Sequence, residues 1–292
     1  GVMKIAFTPE FLRRLDLLTV VSKRLFAGRM KGERRSPRKG SSVEFADFRN
    51  YVQGDDHRYI DWNAYARFEG LFVKLFMEEE DLQITFLLDR SKSMDFGGKF
   101  SMAAHVVAAL GYVGLANLDR ITIAAFSEAG IERLPATHGK HQVHKLLSFL
   151  EGLVCDGRTD LTRQVRTFAE QASRPGLAVV VSDFLDEGGF EQPLNLLRFH
   201  KFEPVAVQVL AREEVDPPVG GDWRFIDSES GANVDLSLGG RAVKLYKQRL
   251  AAYTQGLDDF CKSLDIACLR AVSDQDFSEL VLKYFREASL IA

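Results

Sequence analysis

The chain has 292 residues, of which 46% are hydrophobic and 27% are charged, and its formal net charge is -3. This composition is typical of a globular protein and argues against a disordered, collagen-like or membrane-spanning chain. The three cysteines are too few and too scattered for a disulfide framework, which favours a reducing compartment. No apolar stretch of bilayer-spanning length and no signal peptide are evident, so we expect a cytoplasmic protein without a membrane span.

The first predicted element is an amphipathic helix over residues 9–28. A basic segment overlaps its end, because residues 23–39 hold eight basic residues and one acid, a local charge of +7. The remainder of the chain therefore carries a net charge of -10, and the small net charge of the whole chain arises because the two parts nearly cancel. A solvated loop is the favoured interpretation of this segment, with an acidic partner as an alternative. No nucleic-acid motif accompanies it, and we expect no nucleic-acid partner.

An aromatic-rich segment follows, with nine aromatic side chains among residues 45–76. Short strands are predicted at Ser42–Phe48 and Leu71–Met77, with a turn at Gln53–Asp56 and a short helix near Asp61. Turns, helix caps and ion pairs account for the charged residues between these strands, although a partner surface is the alternative. These charged residues are Asp55, Asp56, Arg58, Asp61 and Arg67.

From Asp81 onward, apolar strand patterns alternate with helical patterns. The predicted strands are Leu82–Leu88, Ile121–Phe126, Ile131–Leu134, Ala178–Val181, Val205–Leu210 and Ile266–Val272. The predicted helices are Lys99–Leu118, His141–Leu153, Leu161–Ala172, Gln192–His200, Arg241–Leu264 and Phe277–Ala288, with a hairpin over Trp223–Asp227 and Asn233–Leu238. Such alternation predicts an α/β fold, a Rossmann-like doubly wound and mostly parallel sheet. We expect an amino-terminal elaboration over residues 1–78, built of the helix, the basic loop and the small β strands, and this α/β domain over residues 79–292.

Oxygen-bearing side chains follow the predicted strands at the edge where such sheets bind ligands. Asp89, Ser91 and Ser93 form a D-x-S-x-S turn directly after the first buried strand. Thr159 lies in a polar loop before a helix, and Asp183 follows the buried strand Ala178–Val181. Hard oxygen ligands of this kind suit Mg²⁺ or Mn²⁺. Helix capping by Asp89 and the serines is the alternative interpretation.

This pattern resembles the metal-ion-dependent adhesion site of von Willebrand factor type A domains. The residues that match are Asp89, Ser91, Ser93, Thr159 and Asp183. The resemblance implies that the hydroxyls contact a Mg²⁺, Mn²⁺ or Ca²⁺ ion and that the aspartates bind it directly or through water. No catalytic residue comes with this match. The resemblance also implies a von Willebrand factor type A-like fold.

A second resemblance covers nearly the whole chain, and its motifs are specific in combination. They are Phe45–Arg49 (F-A-D-F-R), Gly54–Trp62 (G-D-D-x-R-x-I-D-W), Ala66-Arg67, Val73-Lys74, the acids of Glu78–Asp81, Leu87–Met94 and the Ile226–Gly231 hairpin. Together they resemble the signature of the domain of unknown function 58 family. That resemblance implies a chaperone-like adaptor associated with MoxR-type AAA+ ATPases. Many relatives carry amino-terminal membrane helices, which are not evident in this sequence.

The chemistry of such a site favours protein binding over catalysis. If neutral hydroxyls supply much of the inner shell, the ion keeps positive charge and an open position that a partner's carboxylate can fill. We therefore expect a metal-dependent protein–protein interaction module that is not an enzyme.

The best enzymatic alternative is a magnesium-dependent phosphoryl transferase with Asp89 as nucleophile. Ser91 stands where such enzymes have a second acid, which weakens that alternative. Gly97-Gly98-Lys99 lacks the preceding glycine of a phosphate-binding loop. The spacing of His138, His141 and His144 is better explained by a solvated helix start than by a zinc site.

Overall fold

The structure is a computed structural model that describes residues 3–17, 44–52, 60, 62, 71–77, 82–158, 160–172, 174–218, 222–226, 233–237 and 240–291. The chain divides into two compact units, one formed by Gly1–Gly28 with Leu82–Ala292 and the other by Arg29–Asp81. The domain boundary predicted between residues 78 and 79 lies outside the described residues and stays a prediction.

The larger unit alternates strands and helices as the sequence predicts. Its strands are β3 (Gln83–Asp89), β4 (Arg120–Ser127), β5 (Gly130–Thr137), β6 (Leu177–Ser182), β7 (Glu203–Leu210), β8 (Asp222–Ile226), β9 (Asn233–Ser237) and β10 (Ala267–Val272). Its helices are α1 (residues 9–17), α2 (Lys99–Ala116), α3 (Val143–Gly152), α4 (Leu161–Gln171), α5 (Glu191–Phe199), α6 (Arg212–Val215), α7 (Gly240–Ser263) and α8 (Phe277–Ile291).

Six strands of the described chain form the main sheet, in the order β10-β7-β6-β3-β4-β5. Every neighbouring pair is parallel except β4 and β5, which are antiparallel. The chain first builds outward from β3 through β4 and β5, and then continues on the other side of β3 with β6, β7 and β10. This confirms the predicted fold class, a Rossmann-like doubly wound and mostly parallel α/β sheet, and places its topological switch point between β3 and β6.

Both faces of the sheet are covered by helices, because its strands carry apolar side chains on both sides. In β3, Phe86 and Leu88 join the core under α1, α2, α3 and α8, whereas Leu87 joins the core under α4, α5 and α7. This alternation is the ordinary two-residue period of a strand. Each such buried side chain contributes roughly 1.5–3 kcal/mol, so the two layers fix the strand ends that carry the candidate site.

Helix α2 is buried along nearly its whole length. Its glycines allow close contact, because a Cβ atom at Gly114 would lie 2.5 Å from Ile121 Cδ1 and one at Gly111 would lie 2.9 Å from Leu146 Cδ1. The expectation that no apolar stretch approaches spanning length was wrong here, since Lys92–Ala116 is long and apolar enough to cross a membrane. In this fold, 78% of its most apolar window is buried, as in the core helix of a globular domain.

Helix α1 belongs to the same unit as the sheet. Phe11 and Leu15 lie in the core beside α2, and the Thr8 hydroxyl accepts a hydrogen bond from the Phe11 N–H at the helix start. The Tyr112 hydroxyl donates to Asp16 at 2.8 Å. The remainder of the predicted helix and the basic segment 23–39 lie outside the described residues.

The smaller unit contains an antiparallel pair, β1 (Glu44–Asn50) and β2 (Phe72–Met77), with an irregularity between Phe45 and Asp47. These strands are the small β elaboration that the sequence predicts at Ser42–Phe48 and Leu71–Met77. The predicted turn and the start of the predicted short helix lie outside the described residues, and so do the charged residues Asp55, Asp56, Arg58, Asp61 and Arg67.

Candidate metal centre

Two buried aspartates lie at the switch point of the sheet. Asp89 is the last residue of β3 and Asp183 directly follows β6. The two strands are hydrogen-bonded neighbours up to the pair Leu88–Val181, so both carboxylates lie at the same edge. Asp89 is 0% exposed and Asp183 is 4% exposed. The sequence alone predicts this juxtaposition.

Both carboxylate oxygens of Asp89 accept hydrogen bonds. The Ser91 N–H donates to Oδ1 at 2.9 Å, and the Ser182 hydroxyl donates to Oδ2 at 2.7 Å. Burial and the neighbouring charge of Asp183 raise the pKa of Asp89 to about 6, although these hydrogen bonds oppose the shift. The protein therefore holds a desolvated carboxylate whose charged form gains from a nearby cation.

The hydroxyls of Ser91 and Ser93 lie together beside Asp89, with their Oγ atoms 3.0 Å apart. This separation fits a shared hydrogen bond. It also fits adjacent corners of an octahedron, since metal–oxygen bonds of about 2.0–2.1 Å place neighbouring ligands roughly 3 Å apart. The donor set of Asp89, Ser91 and Ser93 therefore fits a hard divalent cation. Thr159 lies outside the described residues.

Asp183 is held by two groups of the protein. The Leu185 N–H donates to Oδ1 at 3.1 Å, and the Lys99 ammonium donates to Oδ2 at 2.9 Å. The same ammonium donates to Glu214 Oε1 at 2.6 Å. Burial lowers the pKa of Lys99, but the carboxylates of Asp183 and Glu214 outweigh it and hold that pKa above its usual value. Lys99 is thus a charged ammonium in a site where 1% of the residue is exposed.

Two glycines bring Lys99 into this position. Gly97 has φ 57°, and a Cβ atom there would lie 2.5 Å from Ala211 Cβ. Gly98 has φ 77° and precedes the first residue of α2, which is Lys99 itself. In the sequence, Gly97-Gly98-Lys99 indicates only an incomplete phosphate-binding loop, and the ion pair of Lys99 is not predicted. A signal was available, because Lys99 is the one Asp, Glu, Lys or Arg residue in an otherwise apolar helix.

A second buried cation lies on the other side of Asp89. Arg90 is 4% exposed, and its guanidinium donates to the Val154 carbonyl at 3.0 Å and to Asp156 Oδ1 at 2.7 Å. It also pairs with Glu132 at 3.0 Å. The Lys92 N–H donates to the Gly157 carbonyl at 2.9 Å. These bonds fix the loop before α4 against the D-x-S-x-S turn.

Within the residues that the structure describes, no group of three or more His, Cys, Asp and Glu side chains could hold a metal ion. His138 and His141 precede α3 and His144 lies in its first turn; all three are exposed, and they are not such a group. A metal at the switch point would therefore depend on serine hydroxyls as well as carboxylates.

Comparison with family models gives a match to "Protein of unknown function DUF58" over residues 47–255. An uncharacterized protein of Mycobacterium tuberculosis (strain H37Rv) is 24% identical over 283 residues, which cover 94% of this chain and 89% of that protein. An uncharacterized protein of Mycobacterium avium is 24% identical over 157 residues, covering 53% of this chain and 92% of that protein.

The solved structures with some similarity to this chain include a bacterial membrane protein and a mussel byssus protein. An aerotolerance-related membrane protein from Bacteroides fragilis is 16% identical, covering 72% of this chain and 100% of that chain, with a TM-score of 0.44. Proximal thread matrix protein 1 from the mussel byssus, in a structure with a zinc-occupied MIDAS motif, is 17% identical. That match covers 46% of this chain and 40% of the byssus chain, with a TM-score of 0.36.

Proposed function

The chain belongs to the DUF58 family of proteins of unknown function, and on that premise we propose that it is a metal-dependent protein–protein interaction module. The observation that carries the proposal is the cluster of oxygen donors at the switch point of the sheet. Asp89 and Asp183 flank it, and the Oγ atoms of Ser91 and Ser93 lie 3.0 Å apart beside them. Open α/β sheets bind ligands at this position.

In this proposal, the site takes Mg²⁺, with Mn²⁺ or Ca²⁺ as alternatives. Asp89, Ser91 and Ser93 hold the ion, and Thr159 completes the set on the basis of family resemblance. Asp183 acts through water, because the Lys99 ammonium already pairs with its charge, whereas only neutral donors engage Asp89. The bound ion supplies positive charge to an incoming carboxylate, since neutral hydroxyls neutralise little of it.

The surroundings of Asp89 support binding rather than catalysis. Ser91 stands where a phosphoryl transferase with an aspartyl nucleophile has a second acid, so Asp89 lacks the general acid that such an enzyme needs. We therefore propose that the protein is not an enzyme.

We further propose that the module works as an adaptor or co-chaperone with a MoxR-type AAA+ ATPase, in the cytoplasm, during assembly or maturation of a third protein. Family resemblance alone supports this partner. A carboxylate from the ATPase or from its client would complete the coordination shell of the ion.

The test is capture of partners on the immobilised full chain, with Mg²⁺ and then with a chelator. We expect a MoxR-type ATPase or a client to bind with Mg²⁺ and to be released by the chelator. Asp89→Ala should lose the partner, whereas Asp95→Ala, at an exposed acid of the same turn, should retain it. Partner binding that neither the chelator nor Asp89→Ala reduces would contradict the proposal. Metal-dependent hydrolysis of a phosphate ester, abolished by Asp89→Asn, would favour the enzymatic alternative.

A further inference from the structure

The Lys99 ammonium is fixed against two carboxylates that come from different segments. Asp183 follows β6, and Glu214 belongs to α6 after β7; they lie 2.9 and 2.6 Å from Nζ. The Glu214 side chain is anchored in turn, because its Oε2 accepts a hydrogen bond from the Ala211 N–H at 2.8 Å. Lys99 therefore cannot swing away from the site without leaving two acids unpaired.

The position of this ammonium sets the charge that a cation meets. Asp89, Asp183 and Glu214 bring three negative charges to this side of the switch point, and Lys99 cancels one of them. Burial strengthens these interactions, because charges of low exposure are poorly screened by water and salt. A divalent cation held by Asp89 and the serines is consequently attracted by two net charges instead of three.

We propose that Lys99 is an affinity-setting residue that keeps divalent-cation binding at the candidate metal centre weak. This inference rests on the proposed function, because it concerns the same site. Weak intrinsic affinity makes the ion depend on the partner's carboxylate as a further ligand. Metal and partner then bind with positive coupling, and the complex can be released when either is withdrawn.

A purely structural role for Lys99 predicts something different. If the ammonium only holds Asp183 and Glu214 in place, its removal displaces Asp183 and weakens cation binding whatever the net charge. If the ammonium sets affinity through its charge, binding follows the local charge and not the number of intact contacts. Substitutions that separate charge from contact therefore distinguish the two roles.

The experiment is titration of the full chain with Mn²⁺ at pH 8, monitored by electron paramagnetic resonance, with Mg²⁺ as competitor. Three variants form a charge series: Lys99→Met has one negative charge more, Glu214→Gln has one fewer, and the double variant matches the wild type. Lys92→Met, at an exposed lysine of the same turn, is the control for nonspecific charge effects. Thermal unfolding without metal measures the structural contribution separately.

We expect Lys99→Met to bind Mn²⁺ about 10- to 100-fold more tightly than wild type, and Glu214→Gln to bind it more weakly by a similar factor. The double variant should lie within about threefold of wild type, as should Lys92→Met, because exposed charges are screened. Without metal, Lys99→Met should unfold roughly 5–15 °C lower, since two buried acids lose their counter-ion.

Weaker binding by both Lys99→Met and the double variant would overturn the proposal in favour of a structural role, as would equal affinities throughout. If Lys99→Met does not fold, adding it to Glu214→Gln must still raise the affinity. If neither the wild type nor any variant binds Mn²⁺, the proposed function fails as well. If the wild type binds Mn²⁺ but the affinities of the variants do not follow their charge, only the proposed role of Lys99 is overturned.

Discussion

The two buried cations that flank the candidate metal centre differ in the exposure of their partners. Arg90 pairs with Glu132 and Asp156, whose side chains are 56% and 48% exposed. Lys99 pairs with Asp183 and Glu214, whose side chains are 5% and 16% exposed. Exposed acids regain water when their partner is lost, whereas buried acids remain desolvated. Bonds of similar length therefore have different energetic consequences.

This difference indicates what each cluster does. The Arg90 bonds hold one loop against the D-x-S-x-S turn, and the exposed acids would tolerate its loss. The Lys99 bonds join three segments around Asp183 and set the charge of the site itself. If burial of the partner acids is the deciding factor, loss of Lys99 destabilises the protein more than loss of Arg90.

Lys99→Met should lower the free energy of unfolding of the metal-free protein by about 3–5 kcal/mol, because it leaves Asp183 and Glu214 buried without a counter-ion. Urea denaturation followed by circular dichroism measures this. The double variant Lys99→Met/Glu214→Gln should recover part of the loss, since it removes one of the two uncompensated charges. A loss below about 1 kcal/mol for Lys99→Met would show that these acids are not effectively desolvated.

Asp89→Asn should stabilise the metal-free protein by about 1–3 kcal/mol at pH 8, since each pKa unit corresponds to about 1.4 kcal/mol. The folded-state pKa of Asp89 is raised from its usual 3.8 to about 6, so the unfolded chain releases this proton first. The resulting cost to the wild type accumulates as pH rises between these two values and stays constant above about 6.

The measurement for Asp89→Asn is urea denaturation of both proteins at several pH values in the presence of a chelator. The difference in free energy of unfolding between Asp89→Asn and the wild type should be largest above pH 6 and vanish below pH 4. A difference that grows as pH falls would show that the pKa of Asp89 is not raised in the folded protein. Added Mg²⁺ should stabilise the wild type and leave the variant unchanged.

Arg90→Met should cost less than Lys99→Met, about 1–2 kcal/mol, through loss of the hydrogen bonds to Val154 and Asp156. Two features limit the cost. The partner acids rehydrate, and the buried Arg90 Nε has no hydrogen-bond partner among the described residues, so its removal relieves an unsatisfied group. The same urea experiment compares the two variants. A loss of unfolding free energy as large as that of Lys99→Met would show that the exposure of the partner acids does not decide the cost.

Arg212→Gln should leave the melting temperature unchanged within error. Arg212 donates to Asp274 at 2.7 and 3.0 Å, so the geometry of this pair is as good as that of the buried pairs. Both side chains are nearly half exposed, however, at 48% and 47%. Differential scanning calorimetry of Arg212→Gln gives the reference value for an exposed pair. A fall in melting temperature as large as that of Lys99→Met would show that bond geometry matters more than burial.

The sequence predicts the α/β architecture and much of the site because both depend on local patterns. Apolar runs mark buried strands such as Ala178–Val181, which is observed as Leu177–Ser182. A carboxylate that directly follows such a strand lies at the carboxyl edge of the sheet, which locates Asp89 and Asp183. The edge strand was predicted too short, as Ile131–Leu134 instead of Gly130–Thr137, because Pro135 interrupts the strand pattern and half of its positions are exposed.

The ion pairs of the site could not be predicted in the same way. Lys99 meets Asp183 from 84 positions away and Glu214 from 115 positions away. These contacts depend on the order of β3, β6 and β7 and on the close packing of Gly97 against Ala211. No local pattern encodes them, although a lone lysine at the start of an apolar helix indicates a buried partner.

Isothermal titration calorimetry of the full chain with Mg²⁺ measures whether the oxygen cluster at the switch point binds a divalent cation. We expect saturable binding of one ion, retained by Asp95→Ala and lost in Asp89→Ala. Absence of binding to the wild type, or binding that Asp89→Ala leaves intact, would contradict the proposed metal site.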